Sequence, residues 1–277
     1  MAINKESNSY TIMFAVVMVV IVGGLLAFTY ESFKDIIKSN QENEKKQNIL
    51  QAIGIAETGG KDFDRTAAQE VFYKYVTRRI TLSYEGEILS DLPADSIINA
   101  SNKLDAFNID LRKEYKLYGK KVIKNNKGSQ EKLAAGLAAE DRIHYPLFVC
   151  EKEDSTFYVV SAVGTGLWDD VWGYIGINSN CQTISGSVFD HKAETPGLGS
   201  KVTEDWFQEQ FIGKRIMAED GKTRLKLEVK KPGNELNIHQ VDGISGATFT
   251  GAGVAEMLER SFVVYQDFFD NNPEFKK

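Results

Sequence analysis

The chain has 277 residues, of which 42% are hydrophobic and 26% charged, an ordinary globular balance with room for one large domain or two small ones. That balance excludes a wholly disordered chain, a collagen-like repeat and a multi-span membrane protein. A net charge of -6 argues against nucleic acid, whose phosphates need a basic face, and two cysteines with three histidines fit neither a disulfide scaffold nor a cysteine- or histidine-built metal centre.

From Ser7 to Tyr30 no residue carries a charge, and Ile12 to Phe28 is an unbroken apolar or glycine run. At 1.5 Å rise per residue, residues 10–30 reach roughly 30 Å, the thickness of a bilayer's hydrocarbon core. Tyr10 and Tyr30 mark the two ends, where amphipathic rings favour the lipid–water interface. The run is longer than the apolar part of a cleaved signal peptide, and no small-x-small cleavage site follows before Glu31. A retained single transmembrane helix is therefore expected at 10–30, behind a short tail at 1–9. Lys34, Lys38, Lys45 and Lys46 follow the span and only Lys5 precedes it, a count that weakly favours the large domain inside. Long domains cross membranes largely regardless of such counts, so charge leaves the side open.

Residues 31–60 read as a polar helical stalk with sparse apolar positions, among them Phe33, Ile36, Ile49 and Ile53, broken at Thr58-Gly59-Gly60. One domain is expected over 61–277. It opens with a helix from Ala67 to Tyr75 and a strand from Arg79 to Tyr84. Glu85 to Gly128 is polar and lysine-rich, with no assignable element, and Glu131 to Ala139 reads as a short helix. Strands at Tyr145–Cys150 and Phe157–Val163 flank the charged turn 151–154. Gly173–Ile177 and Cys181–Phe189 make a second hairpin around Asn178-Ser179-Asn180. Thr203 is placed to cap a helix reaching Phe211, and Arg224 to Val229 alternates like a strand. Thr250 can cap a long helix to about Phe269, with Val254, Leu258, Tyr265 and Phe268 near one stripe. Helices are interspersed but hairpins dominate, so the fold class is α+β. Whether Cys150 and Cys181 pair stays open.

Three glycine-rich segments could carry chemistry: Gly164-Thr-Gly-Leu-Trp168, Glu194-Thr-Pro-Gly-Leu-Gly199 and the run from Asp242 to Thr250. Neither nucleotide fingerprint fits. Glu194 stands where a phosphate loop needs its first glycine, and no G-x-G-x-x-G links a strand to a helix. In the third segment a strand-like approach meets a glycine turn and a helix start. Free N–H groups and the positive end of the helix dipole would converge near Ser245 to Thr250, a place for a phosphate. The alternative is a plain capped turn. Trp168 and Trp172 could be packing or cofactor lining, and His191 near Glu194 could be acid–base or merely hydrogen-bonded.

Asp242-Gly-Ile-Ser-Gly-Ala-Thr248 resembles the flavinylation motif of FMN-binding domains, D-x-x-[ST]-G-A-[ST], in which the last hydroxyl residue carries FMN as a phosphoester. The blocks Gly164–Trp168, Trp172-Gly-Tyr-Ile-Gly-Ile177 and His191–Gly199 are similar to the other family blocks and stand in the same order. Together with the N-terminal span they resemble the C-subunit family of Na+-translocating NADH:quinone oxidoreductases, most closely over about 145–270. The G subunit of Rnf-type electron transport complexes shares the anchor, the Glu-Thr-Pro-Gly-Leu-Gly block and the flavin threonine.

The resemblance implies FMN on Thr248, within a turn made by Ser245, Gly246 and Ala247, installed by a separate flavin transferase that uses FAD. It puts Leu167, Trp168, Glu194, Thr195 and Leu198 around the flavin. It also implies an extracytoplasmic domain anchored in the cell inner membrane, against the weak lysine count. The flavin would relay single electrons among the other subunits of a complex that oxidises NADH, reduces ubiquinone and exports Na+. Electron transfer requires no acid–base residue in this chain. A membrane-anchored binding or assembly protein without cofactor is the alternative from another functional class.

Overall fold

A helix of 44 residues, α1 (Asn8–Gln51), begins the chain in the computed structural model, which describes residues 7–55, 67–93, 96–126 and 128–276. The residues assigned to a span and to a stalk thus form one uninterrupted helix. It ends earlier than the expected break, which lies outside the described residues. Gly54 takes φ +65°, the Ile55 N–H donates to the Leu50 carbonyl at 3.1 Å and the Gly54 N–H to the Gln51 carbonyl at 2.9 Å. That pairing is a Schellman stop.

The chain divides into two compact units, Met1–Lys45 and Lys46–Lys277. In the first, the side chains from Ile12 to Phe28 lie exposed around the helix. A helix this long and apolar fits a single-pass membrane anchor.

The second unit is built on a six-stranded antiparallel sheet. After α2 (Ala67–Tyr75) come β1 (Val76–Leu82) and β2 (Ile88–Pro93). Then follow α3 (Leu111–Glu114), a π turn at Tyr115–Gly119 and α4 (Lys120–Asn125), within the polar stretch 85–128 that carried almost no legible pattern, and then α5 (Gln130–Ala138), the short helix expected over Glu131–Ala139. The strands β3 (Tyr145–Lys152), β4 (Ser155–Thr165), β5 (Asp170–Asn178) and β6 (Ile184–His191) complete the sheet, in spatial order β2-β1-β3-β4-β5-β6. Both expected hairpins are present. Glu153 and Asp154 at positive φ turn β3 into β4. Cys181 belongs to the next turn rather than to a strand, at φ 55°.

Period-2 alternation gives the sheet two buried faces. Leu147, Val149, Tyr158 and Val160 point into the larger core. Phe148, Cys150, Val159 and Val188 point into a second one, closed by Ile49, Leu50 and Ile53 of the α1 end and by Phe72 of α2. The two cysteines are free and buried, and they sit in different cores, Cys150 in the second and Cys181 in the first. The sheet between them accounts for the missing bond.

Where the α1 end meets the sheet, Gly176 and Gly186 face each other across β5 and β6. A Cβ on either would run into the Ala52 carbonyl oxygen, which accepts a hydrogen bond from Ser185 Oγ at 3.2 Å. Gly176→Ala is therefore expected to destabilise this unit by about 1–3 kcal/mol through overpacking, read as a lower urea midpoint. An unchanged midpoint would show that the helix end shifts freely.

The C-terminal half departs from the sequence reading twice. Gly199–Thr203 is a 3-10 turn, and Thr203 Oγ1 bonds back to the Ser200 carbonyl at 3.0 Å instead of capping. Only α6 (Asp205–Gln208) and a further 3-10 turn at Glu209–Phe211 follow, with Phe207 and Phe211 turned inward against Phe189 in tilted and edge-on contacts. The expected strand at 224–229 shrinks to β7 (Glu228–Lys230), which pairs in parallel with β8 (Gln240–Asp242). The last helix, α7 (Thr248–Asn271), lies on the larger core with Val254, Leu258, Tyr265 and Phe268 all buried, as the stripe predicted.

Candidate functional site

The chain enters α7 through a short, tightly held turn. Gln210 brackets Asp242 by accepting its N–H at 2.8 Å and donating to its carbonyl at 3.2 Å. The Asp242 carboxylate accepts the Gly233 N–H at 3.3 Å, and the Gly243 N–H reaches the Lys230 carbonyl at 2.7 Å. Ile244 and Ala247 are buried while Ser245, Gly246 and Thr248 are exposed. Gly246 sits at φ +78°, where an L side chain is strained, and a Cβ there would also meet Leu198 Cδ2 at 2.9 Å.

Thr248 is the first residue of α7, in the turn whose N–H groups lack intrahelical acceptors. The helix dipole adds positive potential there. The cap position is Ala247, without a side-chain hydrogen bond. Thr250 is not the cap: it lies inside the first turn, 1% exposed, and its Oγ1 donates to Glu194 Oε2 at 2.5 Å. The cap position is already taken by Ala247, and the buried Glu194 carboxylate offers the Thr250 hydroxyl its partner.

The other two glycine-rich segments converge on the same place. Glu194 is 4% exposed, and its Oε1 accepts the Trp168 N–H at 2.9 Å. Trp168 is 68% exposed, with its Nε1–H bonded to Thr195 Oγ1 at 3.0 Å. Leu167, Leu198 and Phe249 are exposed as well. Large apolar side chains left open around one helix N-terminus form a surface that water disfavours and a ligand can cover. The lysine pair beside this loop is committed to carboxylates: Lys192 holds Asp169 at 2.9 Å and Lys120 holds Asp170 at 2.6 Å. The Lys192 bond keeps the Asp169 carboxyl below its ordinary range.

The expected neighbours Leu167, Trp168, Glu194, Thr195 and Leu198 are therefore brought together with Ser245, Gly246, Ala247 and Thr248. His191 is not part of an acid–base pair; its Nδ1 accepts the Glu194 backbone N–H at 3.2 Å. Trp172 turns elsewhere, its ring 4.1 Å from the Arg112 guanidinium carbon. Sequence reasoning passed over Phe249, an apolar residue between two threonines at a helix start, which was the available signal. An open cleft of about 440 Å³ lies at the far end of α7, lined by Tyr84, Ala134, Asp267 and Asp270, well away from Thr248.

Residues 166–262 match the FMN-binding domain family. The chain is 28% identical to the C subunit of the Na(+)-translocating NADH-quinone reductase of Vibrio campbellii, over 92% of this chain and 90% of that one. It is 26% identical to the protein of the same name from Neisseria meningitidis serogroup B, over 91% and 88%. The crystal structure of the Parabacteroides distasonis C subunit is similar in fold, with a TM-score of 0.63 and 29% identity, covering 85% of this chain and 96% of that chain. The resemblance seen in the sequence motifs thus extends over most of the chain, and the family match contains the whole Thr248 turn.

Proposed function

We propose that this chain is the electron-carrying C subunit of a Na+-translocating NADH:quinone reductase, with FMN held covalently on Thr248. The observation that carries this reading is an exposed threonine at a helix N-terminus, to which Glu194 ties the exposed Trp168 loop through Thr250 and against which Leu198 packs at Gly246, inside the FMN-binding domain match. The relatives that match over most of the chain are C subunits, which favours this complex over an Rnf-type one.

The residues fit a flavin by its two chemistries. First-turn N–H groups and the α7 dipole suit the phosphate, while the exposed apolar side chains suit the face and edge of an isoalloxazine. When bound, FMN supplies the one-electron chemistry. The protein supplies the rest: Thr195 orients the Trp168 ring, Leu198 packs over Gly246, and the apolar rim keeps water off one side. Leu167, Trp168, Leu198 and Phe249 are all exposed, and a covalent tether suits a carrier that would otherwise be lost from an open surface. A flavin transferase attaches the group, and the domain stands on the extracytoplasmic side of the cell inner membrane.

Intact mass and an ultraviolet-illuminated denaturing gel test the attachment. The expected result is one FMN per chain and a fluorescent band; protein without either, made alongside its transferase, overturns the reading in favour of a cofactor-free anchored protein. A reporter fused after Lys277 is expected to act outside the cytoplasm, and activity inside would refute the orientation. Trp168→Ala should leave FMN attached but change its fluorescence or midpoint potential, because an aromatic near the ring tunes it rather than holding the phosphate. Unchanged spectra and potential would return Trp168 to a packing role.

A further inference from the structure

We propose that Glu194 is the positioning residue of this site, a clamp that fixes both the acceptor threonine and the aromatic wall without itself contacting the flavin. The inference rests on the reading of Thr248 as the attachment residue. All three glycine-rich segments meet on the one carboxyl group. Its Oε1 accepts the Trp168 N–H at 2.9 Å and its Oε2 accepts the Thr250 hydroxyl at 2.5 Å. Its own backbone N–H is tied to His191 Nδ1 at 3.2 Å.

Two of the glycines are explained by this group. A Cβ on Gly166 would lie 2.5 Å from Oε1, and a Cβ on Gly199 would lie 2.5 Å from Oε2 and 2.6 Å from Thr250 Oγ1. Each segment is thus shaped to admit the carboxyl group, which at 4% exposure is walled off behind the surface. The Thr250 bond sets the first turn of α7, and with it the direction in which Thr248, two residues earlier, presents its hydroxyl. The Trp168 bond sets the loop whose indole forms the exposed wall.

Donor and acceptor chemistry makes this separable from a charge acting on the flavin. The Trp168 N–H can only donate, whereas a threonine hydroxyl can donate or accept. Glu194→Gln can therefore keep both bonds, its oxygen toward Trp168 and its amide donating to Thr250. Glu194→Met fills the same space and loses both. Thr250→Val loses one bond and Thr250→Ser keeps it.

The test uses full-length protein produced with its flavin transferase. It reads the initial rate of FMN attachment, the visible circular dichroism of the attached flavin, and hydrogen exchange over 164–200 in a flavin-free Thr248→Val background. Glu194→Met and Thr250→Val are expected to slow attachment about tenfold and alter the dichroism, and Glu194→Met to unprotect the Trp168 amide as well, as for a buried polar group deprived of its partner. Glu194→Gln and Thr250→Ser should stay within about twofold of the parent, the span over which a hydrogen bond of near-equal strength is exchanged. Wild-type attachment and exchange in both Glu194→Met and Thr250→Val would overturn the clamp. So would a Glu194→Gln protein as defective as Glu194→Met, which would place charge rather than hydrogen bonding in control. A wild-type chain without FMN would refute the proposed function instead, and the exchange measurement would still decide the clamp.

Discussion

Thr248→Val is expected to abolish covalent FMN while leaving the fold intact. Valine keeps the branched shape but removes the oxygen, and only an oxygen at this position can form the phosphoester. Thr248 is exposed, so unfolding should move by no more than about 0.5 kcal/mol, as for other exposed substitutions. Two hydroxyls compete for the assignment. Thr250 is buried with its hydrogen donated to Glu194, which withholds it from a transferase, and its loss should act on stability and positioning rather than remove the acceptor. Ser245 is exposed in the same turn but precedes Gly246 at positive φ, before the helix N–H groups are aligned. Intact mass of the Thr248→Val chain should match its sequence, and Thr248→Ser should retain some attachment. Peptide mapping that found FMN on Ser245 or Thr250 would sink the assignment.

The second large effect lies away from the site. Arg79 in β1 is fully buried and forks onto Asp105, with Nε to Oδ1 at 2.9 Å and a terminal nitrogen to Oδ2 at 3.0 Å. The same nitrogen reaches the Ser96 carbonyl at 2.9 Å, and Thr81 Oγ1 donates to the Leu104 carbonyl at 2.8 Å. This pair therefore pins the 96–110 segment to the sheet. Asp105→Ala strands a guanidinium in the core and also removes the acceptor for the Phe107 N–H. Breaking one side of a buried pair costs about 3–5 kcal/mol, so a marked drop in the urea midpoint is expected. The double change Arg79→Met with Asp105→Leu should recover most of that loss, since well-packed apolar groups often replace such a pair without penalty. A single variant within about 1 kcal/mol of the parent would contradict the burial argument.

What the sequence made legible follows from how local each signal was. The strands around 145–189 alternate in period 2 and turn at charged or asparagine-rich tetrads, so their pattern is complete within each hairpin. The α7 stripe is equally local. The stretch 85–128 was opaque because its elements are four to six residues long and include a π turn, too short for any period to repeat. Its buried anchors Ile109, Leu111 and Tyr115 find partners only in the folded sheet. The continuity of α1 was hidden for another reason: its character changes from apolar on all sides to polar, which reads as two elements. At the site, motif spacing marked Thr248, whereas the part played by Glu194 depends on contacts 26 and 56 residues away. Capping rules misplaced Thr250 because they see a hydroxyl before a helix and not the carboxylate waiting for it.

The two cysteines give the fold an unplanned sentinel. Burial pushes both thiols up, Cys181 to about 12 and Cys150 still more strongly, and thiolate is the species that attacks a disulfide. On the extracytoplasmic side proposed above, where disulfides form and persist, burial and the scarcity of thiolate would slow mixed-disulfide formation by the folded domain. Quality control would meet a reactive sulfur only when the sheet opens. Since the two thiols lie in different cores, their separate rates of capture by a thiol reagent would time the opening of each face of the sheet.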